Sequence, residues 1–195
     1  MASVVETQDE SNVKMIPKYV LNITGGVPST FFEVTGCILV ASLVLFIFCE
    51  DVKKGFRLIF LITLIEYIIL IYCSTVFCRP SQSERKYDFH PFWTYNAIWG
   101  GENLYIGEIL MNIVMFIPVG LLLGFAIRAL KWWQVLLIGG GISFSIEILQ
   151  FVLMKGFSEI DDLMHNTLGC LVGYVIYSLV RVGYEKISER RLAIL

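Results

Sequence analysis

Residues 104–127 read LYIGEILMNIVMFIPVGLLLGFAI, an apolar run interrupted only by one carboxylate, Glu108, and one amide, Asn112. A helix rises about 1.5 Å per residue, so about 20 such residues cross a hydrocarbon core of roughly 30 Å, and the run reads as a membrane span. Four more runs of similar character flank it, at Phe31 to Phe48, Leu58 to Phe77, Trp132 to Met154 and Leu163 to Val182. The expected fold is all-α, a polytopic transmembrane helical bundle of about five spans. Composition agrees, with 56% apolar and 16% charged residues and a mean hydropathy of +0.72, where soluble chains carry about a quarter charged residues.

The chain then divides into a polar N-terminal tail (1–30), a transmembrane helical domain (31–183) and a C-terminal tail (184–195). The first residues are acidic and polar where a signal peptide is basic and then apolar, so they are expected to be retained. A net charge of -2 leaves no nucleic-acid footprint. Cys37, Cys49, Cys73, Cys78 and Cys170 lie in or beside apolar runs without metal-ligand spacing and read as small buried apolar residues.

Lys and Arg counts orient a membrane chain. The first loop (Lys53, Lys54, Arg57), third loop (Arg128, Lys131) and C-terminal tail (Arg181, Lys186, Arg190, Arg191) together carry nine; the N-terminal tail and the second and fourth loops carry six. That asymmetry places the expected C-terminus in the cytoplasm and the N-terminus outside the cell membrane. The longest connection, Cys78 to Asn103, becomes densely aromatic from Tyr87 to Trp99. Such rings settle at the lipid–water boundary, either as an anchor or as a lid over a site.

Polar groups inside the last three spans are the candidates for function, because a charge at a bilayer centre costs roughly 2.5–3.5 kcal/mol and seeks a protein interior or a wet cavity. Glu108 and Asn112 share one face of the third span; Ser143, Glu147 and Gln150 share one of the fourth; Asp162, Asn166, Gly169 and Gly173 stripe the fifth. Alternating spans put Asn112, Glu147, Asp161, Asp162 and Asn166 in a single leaflet, the outer one by the charge count, which the aromatic connection also reaches. Glu66, mid-span in the second run, is a separate intramembrane candidate whose bland alternative is pairing with a Ser, Tyr or amide. Pro118 removes an N–H and clashes with the carbonyl of Val114, so a kink or break is expected there. Gly169 and Gly173, four apart, invite close helix approach.

The blandest account makes Asn112, Gln150 and Asn166 interhelical hydrogen-bonding residues, Ser143 a residue bonded back to its own helix, Asp161 and Asp162 a helix cap and first-turn charge, and His165 the partner of Asp161. The alternative is that the stripes form one polar pocket.

These blocks resemble a known family. Asn112-Ile-Val-Met-Phe116-Ile-Pro118-Val-Gly120 is similar to the VanZ motif N-x-x-x-F-x-P-x-G. Ser143 to Gln150 follows at a fitting distance, and Asp161-Asp162-Leu-Met-His-Asn166-Thr-Leu-Gly169 resembles the family's D-D-x-x-x-N-x-x-G. Asp88-Phe89-His90-Pro91-Phe92 stands where these proteins often carry N-L-x-P-F, so the resemblance runs from about Asp88 to Tyr177. Glu159 stands where Asp is common, and Lys155 is the basic residue near the hairpin, where Arg is often found.

The resemblance implies a bacterial cell-envelope membrane protein linked to low-level resistance to teicoplanin and related lipoglycopeptides. Three mechanisms stay open at this point. In the first, a non-enzymatic protein uses an outer-leaflet pocket of Asn112, Glu147, Gln150, Asp161, Asp162 and Asn166 to bind a membrane lipid or lipid-linked cell-wall intermediate. In the second, an intramembrane enzyme acts on a lipid headgroup, with Glu147, Asp161 and Asp162 as acid, base or ligands of Mg or Ca; zinc is disfavoured with His165 the only histidine in the spans. In the third, a transporter or scramblase acts as a homo-oligomer. No resident metal or cofactor is assigned.

Overall fold

A computed structural model describes residues 33–41, 51–127 and 129–192 of the 195. Among them, four segments are long and apolar enough to cross a membrane, Lys54–Phe77, Leu104–Ala126, Trp132–Leu153 and Ile160–Ile187, matching the second to fifth expected spans. Of the first, Phe31 to Phe48, only residues 33–41 are described, and they are helical. The rest of that run and the tail 1–30 lie outside the described residues.

Helix α1 (Val52–Tyr72) starts where the Asp51 carboxylate accepts the Lys54 N–H at 3.2 Å, satisfying a donor that a helix start leaves orphaned. It widens into a π-turn at Cys73–Phe77, where the hydroxyls of Ser74 and Thr75 both donate to the Ile71 carbonyl. The aromatic connection contains strand β1 (Lys86–Asp88) and a short helix α2 (Trp93–Trp99). Then follow α3 (Leu104–Ala126), α4 (Trp132–Leu153), strand β2 (Phe157–Glu159) and α5 (Ile160–Leu192). The two strands pair in parallel, Lys86 with Phe157 and Asp88 with Glu159, so the second and fourth connections meet at the same end of the bundle.

The buried centre is Phe116, Val119 and Leu123 of α3, Val135 and Ile146 of α4, Cys170 of α5, and Leu64, Ile71 and Val76 from α1 and its π-turn. Helices α3 and α5 approach backbone to backbone. A Cβ at Gly120 would lie 1.7 Å from the Cys170 carbonyl oxygen, one at Gly173 1.9 Å from that of Ile117, and one at Gly169 2.2 Å from that of Ile113. The Gly169/Gly173 pair expected from sequence thus packs on the α3 backbone at Ile113 and Ile117, while Gly120 and Gly124 of α3 receive the Cys170 backbone and the Tyr177 ring of α5. With no hydrophobic force between helices in lipid, such close contact is what holds them together.

Of the kink or break expected at Pro118, there is no break: helix α3 runs on to Ala126. Contacts at Ile113, Ile117 and Gly120 clamp it to α5 on both sides of the proline. The described cysteines are free thiols; Cys170 is buried as expected, but Cys37 is exposed and Cys73 and Cys78 are half-buried. A thiol on an apolar helix surface faces the same medium as its neighbours and needs no burial.

Candidate functional site

At the end of the bundle where β1 meets β2, a cavity of about 390 Å³ opens between α1, α3 and the start of α5. Its polar wall is unusually charged for its surroundings: Arg79 just beyond the π-turn, Glu108 and Asn112 on α3, Glu159 at the end of β2 and Asp162 in the first turn of α5. Ser74 and Thr75 line it from the π-turn, and Tyr105, Met111, Met115 and Phe157 complete the wall. Helical spacing puts Glu108 and Asn112 one turn apart on the same face. The Asn112 amide donates to Asp162, linking α3 to α5 at the cavity wall.

The other expected pocket residues serve the frame. Asp161, fully buried, accepts the backbone N–H groups of Phe92 at 2.7 Å and Thr94 at 3.0 Å, so it caps α2 rather than its own helix. Phe92 sits there in a left-handed conformation (φ 66°). Glu147 accepts the Glu159 N–H at 2.8 Å while its own carbonyl accepts the Ser158 hydroxyl, which fixes β2 against α4. Gln150 donates to the Thr75 carbonyl at 3.1 Å and so ties α4 to the π-turn. Asn166 donates to the Ser143 hydroxyl at 2.9 Å, between α5 and α4. Ser143 therefore serves a neighbouring helix, not the back-bond expected within its own.

His165 also differs from expectation. Its Nε2 is 2.9 Å from the Tyr95 hydroxyl on α2. The Asp161 carboxylate is instead directed to the α2 backbone, one oxygen to each N–H, and the His165 Nδ1 has no partner among the described residues. Glu66 is buried outside the cavity, and neither of its oxygens has a hydrogen-bond partner among the described residues, so the expected Ser, Tyr or amide partner is absent.

Arg79 and Glu159 are the cavity residues that the stripe pattern does not single out. Arg79 follows an apolar run directly and counts there only toward orientation; Glu159 is the first acid of Glu159-Ile-Asp161-Asp162, a cluster of three that was itself a signal. Gly156 (φ +103°) seats the arginine, since a Cβ at that position would lie 2.8 Å from a guanidinium nitrogen. Among the described residues Arg79 forms no direct ion pair, although it feels the charges of Asp162 and Glu147. Burial, then the nearby carboxylates of Asp162, Glu108 and Glu147, push the Glu159 carboxyl up to about 9. At the end of β1, Asp88 accepts the His90 N–H at 2.8 Å, which holds its carboxyl below the usual range.

A second, apolar pocket of about 180 Å³ lies on the other side of β2, walled by Phe89, Phe144, Ile148, Phe151 and Leu163; Glu159 borders both. Among the described residues no three His, Cys, Asp or Glu side chains are grouped to hold a metal ion. The polar cavity is thus a charged hydrogen-bonding chamber at one end of an apolar bundle.

Comparison with known proteins places this region of the chain in a family. The family model described as VanZ/LLP1 matches residues 58–181, which contain every residue of the cavity wall. Protein VanZ of Enterococcus faecium is 24% identical over 127 residues, covering 65% of this chain and 74% of that protein. No solved structure matches the chain.

Proposed function

From the chain's place in the VanZ/LLP1 family, to which it belongs, we propose that this membrane protein binds the headgroup of a lipid or lipid-linked cell-wall intermediate in the cavity between α1, α3 and α5. The observation that carries the reading is the chamber itself, about 390 Å³ with Arg79, Glu108, Asn112, Glu159 and Asp162 on its wall. Charged side chains at the edge of four apolar helices have a high desolvation cost, and a polar ligand offsets it. The residues of the sequence motif divide in this reading: Asn112 and Asp162 touch the ligand, whereas Glu147, Gln150, Asp161 and Asn166 hold the walls.

By the Lys and Arg count the chamber opens on the outer leaflet, where lipophilic glycopeptides act. Occupying or presenting a headgroup there changes what such an antibiotic anchors to, which connects the site to low-level teicoplanin resistance. No step in this account requires bond making, and the cavity wall has no nucleophile with an adjacent base and oxyanion donors.

The test is a resistance assay in a sensitive host that expresses the chain. Asp162→Asn and Arg79→Gln should each abolish any protection against lipoglycopeptides at unchanged membrane abundance, while a change on the opposite end, such as Trp132→Phe, should leave it intact. Full protection in both cavity variants contradicts the reading.

A further inference from the structure

The headgroup reading leaves the chemistry of the headgroup open, and the inventory of charge in the chamber narrows it. Three carboxyl groups line the wall, those of Glu108, Glu159 and Asp162, against one basic residue, Arg79. They are not spent on one another or on the arginine: among the described residues none of the four makes an ion pair within 4 Å. Asp162 is engaged by the neutral amide of Asn112 alone.

Glu159 is the strongest pointer. It is 7% exposed yet borders the cavity, and among the described residues the side-chain donor beside its carboxyl is the Trp93 indole N–H, which falls short of hydrogen-bonding geometry. Its backbone N–H is given to Glu147. A buried carboxyl held open in this way lacks a donor that the protein does not provide. At the cavity mouth the exposed Arg79, seated over Gly156, is a guanidinium with its fork unoccupied.

Resting on the headgroup reading, we propose that the chamber recognises a phosphorylated primary amine, with the ammonium held among Glu159, Asp162 and Glu108 and the phosphate on Arg79. Left to itself, Glu159 keeps its proton. An ammonium brings the positive charge that lets this acid-rich wall release its protons to solvent, which a purely anionic headgroup does not, and a bare amine would leave the guanidinium unanswered. A zwitterion satisfies both ends. The ammonium has three donors and no acceptor, which suits an acid-rich inner wall, and a planar guanidinium is the side chain best shaped for a phosphate. The same chemistry occurs in an aminophospholipid headgroup and in a free phosphoamine.

The experiment uses the full chain purified in detergent and measures binding by native mass spectrometry. The probes are dioctanoyl phosphatidylethanolamine, dioctanoyl phosphatidylglycerol and soluble O-phosphoethanolamine. The expected result is a preference of about ten-fold or more for phosphatidylethanolamine over phosphatidylglycerol, the equivalent of one buried charge-assisted hydrogen bond. Glu159→Gln and Asp162→Asn should erase the preference while retaining binding of phosphatidylglycerol, and Arg79→Gln should weaken both lipids. The wild-type comparison decides the matter even where a variant folds poorly. Equal binding of the two lipids, or preference for phosphatidylglycerol, overturns the amine assignment and leaves the headgroup reading standing; binding of neither lipid overturns both. Binding of O-phosphoethanolamine as tight as that of the lipid identifies a free phosphoamine as the ligand, and its failure beside lipid binding identifies the membrane headgroup.

Discussion

Asp161 and Asp162 are adjacent in sequence and part company in the fold. Asp161 is spent on two backbone N–H groups of α2, while Asp162 turns one helical step round to the cavity. Hydrogen bonds to a charged acceptor are worth about 1.5–3 kcal/mol each. Asp161→Ala should therefore lower stability by about 3–6 kcal/mol and speed amide exchange at Phe92 and Thr94; unchanged exchange at both contradicts the capping role. Glu159 yields a pH prediction. Its carboxyl titrates near 4.5 when unfolded and about 9 when folded, so between those values the folded chain keeps a proton that the unfolded chain has lost. The favourable contribution is complete below about pH 4.5 and is lost as pH rises through about 9. The melting temperature in detergent should fall with rising pH across that range, and it should fall less in Glu159→Gln; identical slopes argue against the buried carboxyl.

At the scale of elements, the α3–α5 crossing depends on missing side chains. Gly120→Ala or Gly173→Ala would drive a methyl into a carbonyl oxygen of the facing helix, and overpacking of this kind costs about 1–3 kcal/mol or more. Gly107→Ala and Gly141→Ala, which meet open space, should change stability by no more than about 0.5 kcal/mol. Thermal unfolding of the four variants in one detergent checks both expectations. The helices themselves are legible in sequence because each is a long apolar run: Leu104 and Trp132 are read as starts and are starts in the structure. The β1–β2 pairing is not legible, because Lys86-Tyr87-Asp88 and Phe157-Ser158-Glu159 are three residues each with no alternation to set apart from a loop. The cavity is half legible for the same reason. Glu108, Asn112 and Asp162 stand out as polar groups in or beside apolar runs, whereas Arg79 and Glu159 sit in connections, where charge is ordinary. The framing carboxylates, Glu147 and Asp161, are conspicuous in sequence to the same degree as Asp162; only their partners distinguish them.

For the whole molecule, the second and fourth connections are joined by the strand pair, by the Gln82 N–H donated to the Met154 carbonyl at 2.7 Å, and by Lys155 donating to the Phe77 carbonyl. They form one cap over the cavity end, and the orientation proposed from the Lys and Arg count would put that cap outside the cell. A cysteine at Ser83, in the cap, should then react with an impermeant maleimide on intact cells, and one at Ala129, between α3 and α4, should react only after the membrane is opened. The reverse pattern contradicts the orientation. The central claim, that the chamber of Arg79, Glu108, Asn112, Glu159 and Asp162 holds a headgroup, is tested most directly by extracting wild-type and Asp162→Asn chains into native-lipid discs and identifying the co-purified lipids by mass spectrometry. The account predicts one headgroup class enriched over the bulk membrane in wild type and lost in the variant. A lipid profile equal to the bulk membrane in both contradicts it.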